Sequence, residues 1–197
     1  KGKFLNLKIN TNASLLDEKK SHAILSNDVK TVVFSADAAN DELYSKLRVN
    51  GKLETTLRNI KKFAEIKKKH YSNKKIITRV SGVKFSKDQS FDEMLKLWGS
   101  LVDQVAFVDY NPWENSYEKE PNHISKPCSD LWRRMFVWWD GKVNPCDVDY
   151  KSTLTVGNFN SLNISEAWNS HAYNKMRDFH LDNKRSSLTP CKSCTVI

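Results

Sequence analysis

The sequence predicts an α/β fold, a parallel sheet with helices packed outside it, followed by a small α+β domain. Three observations predict it. Short, β-branched apolar runs alternate with stretches of helical periodicity through the first two thirds of the chain. After Pro112 this alternation gives way to a polar loop with prolines and then a hairpin signal. All four cysteines, Cys128, Cys146, Cys191 and Cys194, lie in that later part.

The elements follow in order. "FLNLKINTN" (4–12) reads as a strand, "LLDEKKSHAILS" (15–26) as a helix and "TVVFSAD" (31–37) as a second strand. A short helix is expected at "DELYSKL" (41–47). A long one follows, because Leu53, Leu57, Ile60, Phe63 and Ile66 recur at steps of four and three and so line one face. "KIITRVSGV" (75–83) is a third strand, "FDEMLKLWGSL" (91–101) a helix and "QVAFVDY" (104–110) a fourth strand. Strand and helix in alternation argue for parallel strands joined by helical crossovers. Beyond the loop, "RRMFVWW", the turn Asp140–Gly141 and "KVNPC" form a hairpin, and one helix is expected around "NISEAWNSHAYNKMRDFH" (163–180). No internal repeat is present. The domain boundary is placed near residue 122, giving domains 1–121 and 122–197.

Composition narrows the function classes. With 197 residues, 39% hydrophobic and 11% aromatic, the chain can bury a real core. No run of eighteen apolar residues occurs and "KGKFLNLKIN" has no apolar signal region, so these residues predict a soluble, cytoplasmic protein without a membrane partner. The net charge of +9 invites nucleic acid. However, the densest basic run, "NIKKFAEIKKKH", interleaves its lysines with Ile60, Phe63 and Ile66, which makes it the solvated face of a helix, and nucleic-acid binding is not expected. The positive charge points weakly to an acidic substrate or partner.

Polar residues follow the strands directly: Asn12 after the first, Ser35 and Asp37 after the second, Tyr110, Asn111 and Trp113 after the fourth. The C-terminal edge of a parallel sheet is where loops diverge and sites are built. From pattern alone the favoured reading of Asn12, Ser35 and Asp37 is nonetheless that they cap the next helices.

The cysteines carry the sharper signal. In a reducing compartment a disulfide is not expected, whereas the terminal Cys191-x-x-Cys194 lets two thiolates from one turn reach the same metal. Cys128 and Cys146 would complete a four-thiolate set, suited to zinc or to an iron–sulfur cluster. The plainer alternative makes Cys128 and Cys146 core residues. Spacing alone leaves the metal open. Histidines 22, 70, 123, 171 and 180 share no ligand spacing and read as structural or exposed.

Cys128, a spacer to Gly141, four residues to Cys146, then "DVDY", "LTVGN", "NISEAW", "MRDFH" and "PCKSC" together resemble the auxiliary-cluster domain, of the SPASM or twitch type, of radical S-adenosylmethionine (SAM) enzymes. Four cysteines rather than seven look like the shorter form, and the resemblance implies one auxiliary 4Fe-4S cluster on Cys128, Cys146, Cys191 and Cys194. "NTNAS" and "FSADAANDELYSKLRVNGKLETTLRNIKKF" are similar to strand ends of the same superfamily's partial (β/α)6 barrel. By that resemblance Asn12, Ser35, Asp37 and Arg79 become SAM-binding candidates and Tyr110 to Trp113 approach the substrate.

The superfamily's Cys-x-x-x-Cys-x-x-Cys is absent from these residues, as is a Gly-Gly-Glu-Pro segment before Phe4, and about four of six strand–helix units are found. The expectation is a piece of a longer protein, inactive alone. An intact parent would carry SAM and a second 4Fe-4S cluster, draw on an external electron donor, and modify a small molecule, sugar or peptide by hydrogen abstraction with a 5′-deoxyadenosyl radical. A four-thiolate cluster has no open iron, so its implied role is electron transfer or structure. Phe136, Trp132, Trp138 and Trp139 are expected to be mostly core residues that keep water from it. A zinc module and a degenerate scaffold are the competing readings.

Overall fold

A computed structural model describes residues 6–197. The chain forms two compact units, one ending at Tyr110 and the other beginning at Asn111.

The first unit contains four strands, β1 (Leu7–Thr11), β2 (Val29–Ser35), β3 (Ile77–Lys84) and β4 (Gln104–Asp109), all parallel and in sequential order. Residues 4 and 5 of the expected first strand lie outside the described residues. Between the strands run α1 (Glu18–Ser26), α2 (Asp41–Leu47), α3 (Leu53–His70) and α4 (Phe91–Trp98). Sequential parallel strands with right-handed crossovers place every helix on the same face, which is the arrangement of a barrel arc. The buried core lies between that face and the helices: Val32, Phe34 and Val80 from the sheet meet Leu25, Ile60, Phe63, Met94 and Trp98. The stripe expected on α3 is the buried one, with Leu53, Ile60, Phe63 and Ile66 inside and Leu57 half-buried. Phe63 meets Phe34 edge-on at 5.3 Å.

Strand side chains alternate between faces. The face away from the helices carries Asn10, Val33, Ser35, Arg79, Ser81 and Gln104, with Val33 opposite Arg79 and Arg79 opposite Gln104. Polar groups mid-strand are tolerated there because no helix of this unit covers them.

The second unit pairs β5 (Phe136–Val137), β6 (Lys142–Asn144) and β7 (Gly157–Asn158) antiparallel. The hairpin turns through Gly141, whose φ of 82° favours glycine. The single helix expected over 163–180 is two, α6 (Ile164–Trp168) and α7 (His171–Leu181). Each has its own start signal: Asn163 and Glu166 form a reciprocal capping box, and Ser170 Oγ accepts from Tyr173 N–H. Leu131, Tyr173 and Met176 form a small buried core.

Residues 111–121, which the expected boundary near 122 assigns to the first domain, fall in the second unit. Asn122 N–H donates to the Lys192 carbonyl at 2.9 Å, Ser193 Oγ donates to the Lys119 carbonyl at 2.7 Å, and Tyr117 OH donates to Asp149 at 2.5 Å. Composition marks the segment as polar, but these long-range bonds hold it.

A four-cysteine cavity as candidate metal centre

The four cysteines reach one place from separate local structures. Cys128 caps a 3-10 turn (Ser129–Trp132), Cys146 follows β6, and Cys191 and Cys194 sit in a turn whose Lys192 N–H donates to the Leu188 carbonyl at 2.8 Å. All four line a single cavity of about 30 Å3, walled otherwise by apolar side chains such as Leu131, Val148, Met176 and Leu188. Burial pushes the Cys128 thiol up; burial, with Asp149 and the neighbouring thiols, pushes Cys146 to about 12, and burial with the neighbouring thiols pushes Cys191 to about 12. Protonated thiols suit an apolar wall; a bound metal reverses the preference by coordinating the thiolate.

Two side chains organise the terminal pair. Arg185, 2% exposed, spends its guanidinium on backbone carbonyls: Nε on Cys191 (3.3 Å), Nη1 on Lys126 (3.1 Å), and Nη2 on Cys194 (2.8 Å) and Val196 (3.0 Å). Asn122 Nδ2 also donates to the Cys194 carbonyl, at 3.0 Å, and Val196 N–H points at Cys194 Sγ at 3.4 Å. His180 closes another wall. It is wholly buried, its Nδ1 accepts the Cys128 N–H at 3.1 Å, and burial, aided by Arg185, depresses it to about 4. The ring is therefore neutral at physiological pH.

The loop that carries Cys146 is fixed by Asp149, also wholly buried. Its Oδ1 accepts from Tyr117 OH (2.5 Å) and from Thr153 N–H and Oγ1 (both 2.9 Å), and its Oδ2 accepts from Leu154 N–H (2.8 Å). Asn144 Nδ2 bonds the Asp149 carbonyl (3.1 Å) and Ser152 Oγ (2.8 Å). The loop from Asn144 to Leu154 is fixed on both sides of the cysteine.

Donor chemistry fits a thiophilic metal or cluster. Among the described residues, however, no three His, Cys, Asp or Glu side chains gather tightly enough to hold one metal ion. The thiols stand around a cavity instead of meeting at a point. The expected aromatic shield is not there: Phe136, Trp132, Trp138 and Trp139 are absent from the cavity wall, Trp132 is exposed, and Trp139 is 97% exposed. The strands of the hairpin are two and three residues long, too short to turn every aromatic inward.

On the first unit, none of the strand-end residues caps a helix. Asp17 caps α1, accepting from Lys20 N–H at 2.7 Å, and Asn40 caps α2, accepting from Leu43 N–H at 2.9 Å. Asn12 Oδ1 instead accepts from Ser14 N–H and Oγ, and Asn59 Nδ2 donates to the Ala13 and Ser14 carbonyls. Asp37, 8% exposed, crosses to β3, accepting from Val83 N–H at 2.7 Å and pairing with Arg48 Nε at 2.5 Å. Ser35 lies opposite Ser81, on the same sheet face as Arg79. Arg79 Nε is buried and meets no hydrogen-bond partner among the described residues. Tyr110 packs edge-on against Phe85 at 4.9 Å. The structure thus keeps Ser35 and Arg79 together on the sheet face away from the helices and ties Asp37 into a strand-edge ion pair.

Sequence reasoning missed Arg185, Asn122, Asp149 and Gln89. Gln89, 2% exposed, accepts from Phe85 and Ser86 N–H and donates to the Asp37 and Val83 carbonyls, all at 2.7 Å. Asp149 lies within the quoted "DVDY" (147–150), which was its only local signal; the others bond backbone groups, which no motif announces.

Residues 128–195 match the SPASM iron-sulfur cluster-binding domain. No curated protein matches the sequence. Streptococcus suis SuiB bound to its precursor peptide SuiA has a similar structure, with a TM-score of 0.65 at 15% identity over 87% of this chain and 49% of SuiB. SuiB bound to S-adenosylmethionine gives 0.59 at 14% identity, over 95% and 54%. The structure of anSMEcpe with bound AdoMet and the Kp18Cys peptide gives 0.56 at 14% identity, over 89% and 60%. The chain spans about half the length of SuiB. The likeness is one of fold: a parallel α/β unit followed by a small domain whose residues 128–195 match the SPASM domain.

Proposed function

We propose that this chain is the auxiliary-cluster portion of a radical SAM enzyme, with Cys128, Cys146, Cys191 and Cys194 holding one auxiliary 4Fe-4S cluster. The observation that carries this reading is the convergence of four thiols from three separate loops on one apolar cavity within the residues that match the SPASM domain. Thiols set around a cavity favour a multi-iron cluster over a single zinc, whose bonds of about 2.3 Å require four sulfurs drawn to one centre. When bound, such a cluster supplies electron transfer.

This chain's own residues do the rest. Arg185 and Asn122 hold the terminal Cys-x-x-Cys by its carbonyls, Asp149 holds the loop of Cys146, and the Leu and Met side chains exclude water. Ser35 and Arg79, on the sheet face away from the helices, would offer a hydroxyl and a cation to a polar or anionic ligand; SAM carries a carboxylate that suits the cation. In an intact enzyme a second, SAM-cleaving cluster and an electron donor would come from outside these residues, and the substrate would be altered by hydrogen abstraction. Small molecules, sugars and peptides all remain substrate classes; SuiB and anSMEcpe were crystallised with peptides, which makes peptides the first to try. No described helix is long and apolar enough to cross a membrane, and a reducing cytoplasm suits free thiols.

Anaerobic reconstitution with iron and sulfide tests the cluster. About four irons per chain, lost on Cys146→Ala, is the expected result. Stoichiometric zinc with no iron after the same treatment overturns it. A reading frame that continues upstream of Lys1 into Cys-x-x-x-Cys-x-x-Cys would support the radical chemistry against a scaffold role.

A further inference from the structure

His180 has two ring nitrogens in different circumstances. Because Nδ1 accepts the backbone N–H of Cys128 at 3.1 Å, it carries no proton, and in the neutral ring the proton resides on Nε2. That nitrogen is buried and has no hydrogen-bond partner among the described residues. Leaving a buried N–H unpaired is unfavourable, and at a site built to take a ligand a bound group is one way to satisfy it.

The surroundings narrow what that group is. His180 shares the cavity wall with all four cysteines. Leu131, Met176 and Leu188 on this wall carry no strong acceptor. Its carboxylate, Asp130, pairs with Arg133 at 2.9 Å and Arg134 at 3.4 Å. Arg185 adds positive charge, but its guanidinium donates to the Cys191, Lys126, Cys194 and Val196 carbonyls. A donor without a partner thus stands beside a sulfur-rich site that would hold an anionic group.

We propose that His180 donates a hydrogen bond through Nε2–H to a sulfur of the cluster held by Cys128, Cys146, Cys191 and Cys194, and that this bond raises the cluster's reduction potential. Reduction adds negative charge to the sulfurs, so an N–H dipole aimed at them stabilises the reduced form more than the oxidised one. His180 is a positioning and tuning residue here, not a ligand. The inference rests on the iron–sulfur reading of the site.

Two substitutions separate its two nitrogens. In His180→Asn the amide oxygen can occupy the Nδ1 position and keep accepting from Cys128 N–H, while nothing remains at Nε2. In His180→Gln the amide N–H reaches the Nε2 position and the Nδ1 acceptor is lost. In the anaerobically reconstituted 197-residue chain, the Asn variant is expected to bind iron as the wild type does, with its potential shifted negative in an EPR-monitored titration. The Gln variant is expected to keep a potential near wild type with weaker iron binding. An Asn variant with full iron and the wild-type potential overturns the hydrogen bond while leaving the cluster reading intact. Should the Asn variant fail to fold, the wild type decides: with 15N-histidine, the reduced cluster must show a coupled nitrogen by pulsed EPR. Its absence overturns the proposal, since none of the other four histidines lines the cavity. A wild type that binds no iron fails at the earlier step and removes the iron–sulfur reading itself.

Discussion

Asp149→Asn is the most informative perturbation of the scaffold around the cysteines. The wild-type carboxylate is wholly buried and accepts four hydrogen bonds, three on Oδ1 and one on Oδ2. In the variant the amide oxygen can retain the three bonds of Oδ1. The amide nitrogen must then face Leu154 N–H, donor against donor. That leaves two buried donors unsatisfied, at about 1–3 kcal/mol each. The three surviving bonds also lose their charge, a drop of about 1 kcal/mol each between charge-assisted and neutral bonds. Relief from burying a carboxylate offsets part of this. A net loss of about 3 kcal/mol is the expected result, a large share of the roughly 5–15 kcal/mol that stabilises a typical domain.

Urea denaturation followed by tryptophan fluorescence reads that loss, since five of the chain's six tryptophans lie in the second unit. Tyr117→Phe removes one of the four bonds and is expected to cost less than Asp149→Asn. The double variant should cost less than the sum of the two, because Tyr117 and Asp149 share an interaction. If Asp149→Asn unfolds within about 0.5 kcal/mol of wild type, a typical surface substitution, the network does not hold the Cys146 loop and the reasoning fails.

Two further outcomes follow from the site and the hairpin. Because the Cys128, Cys146 and Cys191 thiols are held above their ordinary range and must give up protons to bind metal, iron uptake should strengthen as pH rises from 7 to 9, with proton release on loading; uptake independent of pH would contradict it. Gly141→Ala places a Cβ 2.6 Å from Asn158 Oδ1 on a backbone with φ of 82°, and should lower stability by about 1–3 kcal/mol in the same urea assay, with no change if the turn relaxes freely.

The parts of the fold legible in the sequence are those with a short-range cause. The stripe on α3 and the β-branched strands come from spacing within one element, and the Gly141 turn from a dipeptide. The boundary moved because Ser193 and Lys192 meet Lys119 and Asn122 across the whole second unit, which composition does not encode. The break between α6 and α7 was written locally, in Asn163 and Ser170, but the run of helix-forming residues obscured it. The same division holds at the site. Cysteine count and the Cys-x-x-Cys pair marked the four thiols, while Arg185 acts through carbonyls that every residue possesses. Asp37 was read as a cap because Asp before a helix usually is one. Its actual partners, Val83 and Arg48, lie on other elements.

The two units also differ in what holds them, and this bears on why the cysteines lie where they do. In the first, a broad cluster of buried aliphatic and aromatic side chains, from Ala13 to Trp98, lies between sheet and helices. In the second, the buried cluster is smaller, Leu131, Tyr173 and Met176, with Val143, Val148 and Ala167 buried apart from it, and its strands are two or three residues long. Arg177 fills part of the deficit, its guanidinium lying 4.4 Å from the Trp168 ring and 4.3 Å from the Tyr173 ring, with Nε on the Leu131 carbonyl. The remainder is polar: Asp149, Arg185 and Asn122 substitute directed hydrogen bonds for apolar area. Small domains with so little core commonly depend on a covalent or metal staple. Four thiols drawn from loops far apart in sequence are placed to supply one, and a cluster held there would contribute to folding as well as to chemistry.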